Sequence, residues 1–549
     1  MANRWNSARL ARTGFVALLL AGASSAAMAQ ATAAAPAAGS DPREARIEQL
    51  EAEVQQLVGE VRELKRNQAE QIQTLAHVED TQKKSPPPSA SVSFVAGRPT
   101  FTAADGKFTA TVHGVMQLDA AQYDQPSAGP TSADFRRDGP ALGASASNVE
   151  AAHARDLKNG DVFRRARIGL DGTVYGDWDY RVLLDFAGTG TENAGQVYET
   201  WVQYSGLKPL HFRIGAFSPS IGLDDQASTN GMPFLERAVS SDLARGLAAG
   251  DTRTAAEVFA NGDHWLVSGA LTGRTIGVVN TGTASGTAQT YGDQLGFVGR
   301  VAGTPFHGKD WLIHLGAHGS YVARPANVGG PTVTGAAALS AEVVSLGNTP
   351  ELRVDGTKLI NTGAIDAHSA ETVGAEFAVQ KRNFLLQAEY DHFGVQRSDG
   401  VASPSFQGYY VSGSWMLTGE ARKYNATTAA FDAPAVDHPF SLSGGGLGAW
   451  EIAVRYSDMN LNYHAGAAGS LPSASAIRGG DEQNVTAGLN WYLNPVVRFM
   501  LDYQHVRIER LSPGTAANNA SVWLLPAGAY GQQIGQTYDV FSVRSQVAF

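Results

Sequence analysis

Residues 163–186 read FRRARIGLDGTVYGDWDYRVLLDF, two alternating runs around a tight turn. In the first run Ala166, Ile168 and Leu170 share one face, and Arg165, Arg167 and Asp171 share the other. Tyr175, Gly176 and Asp177 make the turn, with Trp178 beside it. In the second run Tyr180, Val182, Leu184 and Phe186 oppose Asp179, Arg181 and Asp185. Period two means strands whose faces meet different surroundings, here one apolar and one charged. A soluble sandwich turns its charged face to bulk water. A membrane barrel turns its apolar face to lipid and its charged face to a wet lumen.

The rest of the chain favours the barrel. Its 549 residues are 43% hydrophobic and 17% charged, with 61 Gly and no Cys. That excludes disulfide frameworks and thiolate metal sites. No apolar run in the body of the chain is long enough for a transmembrane helix. Alternating segments recur near 108–122, 196–204, 210–217, 254–260, 264–273, 291–302, 309–322, 370–381, 384–395, 405–418, 448–459, 481–493, 496–508 and 537–549. With the opening hairpin they predict about sixteen antiparallel strands, an all-β transmembrane barrel over residues 106–549. Short connections alternate with long ones, the pattern of a barrel with tight turns at one rim and long loops at the other. Residues 419–447 break that pattern, as a long excursion at the short-turn rim or a hidden pair of strands. Tyr175, Trp178, Trp201, Tyr204, Trp265, Trp311, Trp415, Trp450, Trp491 and Tyr492 are read as aromatic girdles. The final strand ends in Phe549, the kind of terminal aromatic that barrel assembly machinery reads in bacterial outer membranes.

The N-terminal region carries separate signals. Arg4, Arg9 and Arg12, the apolar run 15–22 and Ala27-Met28-Ala29 predict a cleaved signal peptide over 1–29, hence export. Removing three arginines and no acids takes the formal charge from −10 to −13, which argues against a nucleic-acid partner. Residues 30–42 read as a linker. From 43 to 84, Ile47, Leu50, Val54, Leu57, Val61 and Leu64 follow a heptad seam, continued through Gln68 and Gln71 to Leu75 and Val78. This predicts an α-helical coiled coil in the periplasm. Ser85-Pro86-Pro87-Pro88 ends it, and 85–105 reads as a Pro-rich spacer.

Strand phase assigns faces to the cations. Arg165, Arg167, Arg181, Arg213, Arg300, Arg455, Arg498 and Arg544 are expected to face the lumen. Arg164 has outward parity and is expected at the rim or turned inward at a strand end. Arg237, Arg245 and Arg253 join them from the connection 218–253. A guanidinium fork suits oxyanions because it donates two parallel hydrogen bonds. For any single arginine the competing fate is an ion pair with a wall acid such as Asp171, Asp185, Glu199 or Glu451. His314 and His318 share a face about 13 Å apart, too far for one metal, so no metal or other cofactor is expected. No phosphate loop or nucleophile elbow occurs, so the chain is not read as an enzyme.

The ordered segments FRRARIGLDG…YGDWDYR, YSGLKPLHFRIGAF, MPFLERAVSSDLA, SWMLTGEARKY and GAWEIAVRYS resemble the phosphate-selective porin O and P family. The resemblance implies a sixteen-stranded homotrimer in outer-membrane lipid, passing small inorganic anions, with phosphate or polyphosphate as type substrates. It also implies a third external loop folded into the lumen as a constriction. Arg164 and Arg165 match the family's paired arginines and Arg237 its loop arginine. Ser218 and Val115 depart from positions where the family carries cations. Two other readings follow from those departures and from the coil: a porin for other small solutes such as dicarboxylates, and an envelope-anchoring structural protein.

Overall fold

The computed structural model describes residues 42–84, 90–95, 97–125, 157–187, 195–249, 252–276, 294–326, 342–398, 400–511, 531, 533 and 535–549. The signal peptide and nearly all of the linker lie outside them. The chain divides into two units, residues 1–87 and 88–549. In the first, α1 (Pro42–Lys84) is one helix of 43 residues, about 64 Å long. Its seam residues Ile47, Leu50, Val54, Leu57, Val61 and Leu64 are all exposed in the single chain.

The second unit is a closed antiparallel barrel of sixteen strands: β1 (Thr109–Asp124), β2 (Gly160–Val174), β3 (Trp178–Asp185), β4 (Gln196–Leu207), β5 (Leu210–Phe217), β6 (Arg253–Asn261), β7 (Trp265–Thr275), β8 (Leu295–His307), β9 (Trp311–Arg324), β10 (Ile365–Lys381), β11 (Phe384–Arg397), β12 (Ser405–Met416), β13 (Ala449–Tyr463), β14 (Ile477–Tyr492), β15 (Val497–Glu509) and β16 (Thr537–Ala548). Each pairs with its sequence neighbour, and β16 closes on β1 from Asp539 opposite Asp124 to Ala548 opposite Val115. Phe549 extends the seam: its N–H and carbonyl pair with Gly114, and its ring fills the space a side chain there would need.

Burial along the strands is inverted relative to a water-soluble protein. Val182, Ile214, Leu271, Phe377, Val411, Val454 and Val543 are exposed, while Asp119, Arg165, Glu257, Arg300, Glu376, Arg455, Asp502 and Arg544 are buried. An apolar exterior around a charged interior is stable only where lipid replaces water outside, so this wall spans a membrane.

Two details depart from the sequence reading, and a third settles an alternative it left open. Residues 90–95 and 98–103, read as spacer, pair as a hairpin whose second strand adds to β1 through Thr100–Thr111 and Thr102–Thr109. It occupies the part of β1 that β16 is too short to reach. The excursion 419–447 contains a pair of short strands, Arg422–Asn425 with Ala430–Pro434, but they pair only with each other and are no part of the wall. Two of the predicted girdle aromatics face inward. The Arg213 guanidinium stands 4.6 Å over the Trp201 ring, and the Tyr492 hydroxyl bonds Glu451 and Arg422. A girdle needs an aromatic with outward phase, and residue type alone does not supply it.

Candidate functional site: an arginine-lined cavity beside three inserted segments

Two β-bulges shape the site. Across β1 and β2 the register steps from Gln117–Arg165 to Leu118–Phe163, leaving Arg164 as the extra residue. An inserted residue resets side-chain phase. Arg164 and Arg165 therefore both reach the interior while Phe163 stays outside, which corrects the outward parity expected for Arg164. A second bulge at Tyr198, between Leu183–Glu199 and Leu184–Val197, brings Tyr198 inward, where Arg167 lies 3.4 Å over its ring.

Residues 218–249 run through the interior and are tied to the wall by charged side chains. Arg498 donates to the carbonyl of Met232 at 2.6 Å, Arg544 to that of Leu235 at 2.7 Å and Arg455 to that of Glu236 at 3.0 Å. Asp502 accepts from the N–H of Leu235 at 2.8 Å. At the segment's start Glu389 accepts from the N–H groups of Leu223 and Asp224, from Ser241 and from Tyr410. Glu236 is the hub: Arg164 grips its carboxylate at 2.5 and 2.9 Å and Arg544 reaches it at 3.1 Å. Burial alone would raise its pKa, yet Arg164, Arg165 and Arg544 hold it well below the ordinary carboxylate range.

Residues 342–364 enter from the same rim. Glu351 takes an ion pair from Arg455 and a hydrogen bond from Ser457, and Arg353 pairs with Asp242 of the first segment at 2.5 Å. Burial would raise the Asp242 carboxyl, but Arg353 and Arg245 overcome it and hold the pKa at about 2. A depressed carboxylate stabilises the docked state above its ordinary pKa, and the contribution is lost as pH falls through the depressed value. The contribution of Asp242 to protecting 218–249 from proteolysis should thus be constant from pH 7 to about pH 4 and fall only below that. Asp242→Asn should accelerate proteolysis already at pH 7, read by mass spectrometry of the fragments.

From the short-turn rim, the excursion 419–447 supplies the third insert. Arg422 forms a two-pronged pair with Glu451, both bonds 2.7 Å, and donates to the Gly231 carbonyl of the first insert. Arg300 donates to the carbonyls of Thr428 and Ala429 while pairing with Glu376 at 2.7 and 2.9 Å. Glu376 also bonds His314 and His318. The two histidines, read as too far apart for one metal, instead share this carboxylate, because Glu376 lies opposite Gly316, midway between them. A side chain on Gly316 would collide with it. His318, Glu376 and Glu389 bring ligand atoms within 4.8 Å of one another. Both His318 ring nitrogens and the Glu376 carboxylate are already taken, the latter by Arg300, so a guanidinium holds the place a metal would need.

The predicted arginines therefore divide. Arg164, Arg165, Arg300, Arg455, Arg498 and Arg544 are bound to the inserts or to wall groups beneath them, so their main work is anchoring. Arg167, Arg181, Arg213, Arg237 and Arg245 line a cavity of about 470 Å³ against β1–β5. Arg167 pairs there with Asp185 at 2.8 Å and Arg181 with Glu199 at 3.0 Å. Arg213 bonds Gln203 and lies 3.5 Å from Glu257. Arg237 is held by the carbonyls of Asp224, Asp225 and Ala227, and Arg245 by Asp225. Arg253 lines a second space of about 300 Å³ with Asp242, Arg353 and Lys358. Arg98, from the hairpin, lines the first cavity and was not foreseen. Neither were Arg422, Glu236, Glu351, Glu376 or Glu389, whose partners lie far away in the chain.

Known proteins bear on this arrangement. Residues 141–522 match the family model described as phosphate-selective porin O and P. Porin O of Pseudomonas aeruginosa is 24% identical over 370 residues, covering 65% of this chain and 80% of that protein. An uncharacterised Caulobacter vibrioides protein is 24% identical over 428 residues, 77% of this chain and 74% of the relative. Among solved structures, an anion-selective porin from Comamonas acidovorans aligns over 80% of this chain and all of its own at 12% identity, with a TM-score of 0.42.

Proposed function

This chain belongs to the phosphate-selective porin O and P family, an outer-membrane porin and not an enzyme, and on that premise we propose that it passes small anions, with phosphate or polyphosphate preferred. One observation carries the reading. Six arginines line the open cavity, Arg98, Arg167, Arg181, Arg213, Arg237 and Arg245, against two acids, Glu199 and Asp225. The local field is cationic although the chain is acidic overall, and the local charges set the field in a cleft. The segment 218–249, in the third external loop, crowds the lumen so that ions pass along β1–β5 partly dehydrated, where fixed cations discriminate most. Partial pairing of these arginines keeps binding weak enough for release.

The test is phosphate block of chloride current in planar bilayers. Block at millimolar phosphate or below supports the reading. Its absence favours a porin for other small solutes, a reading supported by Val115 and Ser218, which line the same cavity without charge. Assembly as a homotrimer, with α1 as a periplasmic coiled coil, completes the proposal. The exposed apolar seam of α1 supports the coil. Deleting residues 43–84 should leave single-channel conductance unchanged while weakening trimers on cross-linking. An envelope-anchoring role would show instead as loss of envelope integrity on that deletion.

A further inference from the structure

Arg98 opens the second strand of the hairpin 90–103. Thr100 lies opposite Thr111, Phe101 opposite Ala110 and Thr102 opposite Thr109. The same register carried two residues further sets Arg98 beside His113, and both line the 470 Å³ cavity at its short-turn, periplasmic end. The other arginines of that cavity have partners. Arg98 has no hydrogen bond or ion pair among the described residues, and its Nε is buried without an acceptor. The charges that act on it are Asp171, Arg181 and Asp432. Asp171 lies against His113 and 3.6 Å from Arg181. A partly buried guanidinium without an acceptor is costly, and an arriving anion removes that cost.

We propose that Arg98, with His113 and Arg181, forms an oxyanion-binding site at the periplasmic mouth, the last station on the conduction path. The inference rests on the anion-conducting reading. The ligand class is a small oxyanion such as inorganic phosphate, because a guanidinium fork donates two parallel hydrogen bonds to paired oxygens. Chloride offers one centre and gains only the charge. Arg98 therefore sorts phosphate from chloride more than it sets conductance. It sits on the hairpin, outside the sixteen wall strands, so its replacement leaves barrel closure intact.

The experiment uses the full-length protein in planar bilayers, carrying chloride current, with inorganic phosphate added to one side at a time. Arg98→Gln should raise the phosphate concentration for half block from the periplasmic side about five- to tenfold, the effect of roughly 1–1.4 kcal/mol. Chloride conductance should fall too, since Arg98 is one of the six cavity cations, but by a smaller factor than the shift in phosphate block, because salt screens a single charge. Arg98→Lys, which keeps the charge and loses the fork, should fall between the two and serves as the milder variant should the first fold poorly. Wild-type block in both variants overturns the site. A wild-type protein without anion preference defeats the underlying reading instead, whereas preserved preference with unaltered block in the variants removes Arg98 alone.

Discussion

Removing residues 421–446 and joining Glu420 to Leu447 through a short Gly-Ser turn should raise single-channel conductance several-fold and lower anion preference. The other connections at that rim are tight, such as 175–177 and 382–383, so barrel closure does not need this excursion. Inside the lumen it is held by Arg300 at Thr428 and Ala429, by Gln380 at the Arg422 carbonyl, and by the Arg422–Glu451 pair. It also braces the third loop, since Arg422 bonds the Gly231 carbonyl and Gly231 packs against Ala433. Deletion therefore widens the lumen twice, by the missing volume and by the loosened loop. Arg300→Ala is the graded version. Losing one partner of a buried pair costs about 3–5 kcal/mol, and the change should appear as flickering openings above the wild-type level. Unchanged conductance in the deletion would show that ions never use the space it fills.

The second large effect concerns the wall. Arg181→Gln combined with Arg213→Gln should reduce the anion-to-cation permeability ratio about tenfold, or roughly 1.4 kcal/mol. Both side chains line the cavity, and Trp201 lies near both guanidinium groups, at 4.6 Å from Arg213 and 5.7 Å from Arg181. Removing them leaves Glu199 and Glu257 short of partners, so the cationic field is weakened by the lost arginines and by the freed acids together. Arg455→Gln with Arg498→Gln is the informative contrast. Those two bond the loop backbone at Glu236 and Met232, so their loss should raise current noise and conductance more than it alters ion preference.

The wall was legible in the sequence because a barrel sorts side chains by position along every strand. Ile168, Val182 and Leu184 on one side with Arg167, Arg181 and Asp185 on the other fix the two faces, and the alternation of short and long connections selects the barrel. The inward phase of Arg300, Arg455 and Arg544 followed from the same rule. Local irregularities were not legible. The bulge at Arg164 moves one residue across the wall with no change in composition, and Trp201 carries the same label whether it faces lipid or lumen. Least legible were the ties that place the inserts. Arg544 meets Asp119, and Glu389 meets Leu223, across separations that no local pattern encodes. That is why arginines read alike as lumen-facing divide into anchors and cavity lining.

Reversal potential in a salt gradient, recorded on the purified protein in a planar bilayer, tests the cationic passage along β1–β5 most directly. The proposed anion passage predicts a potential set by chloride, shifting further toward anions when Glu199 is replaced by Gln. A potential set by the cation would contradict it.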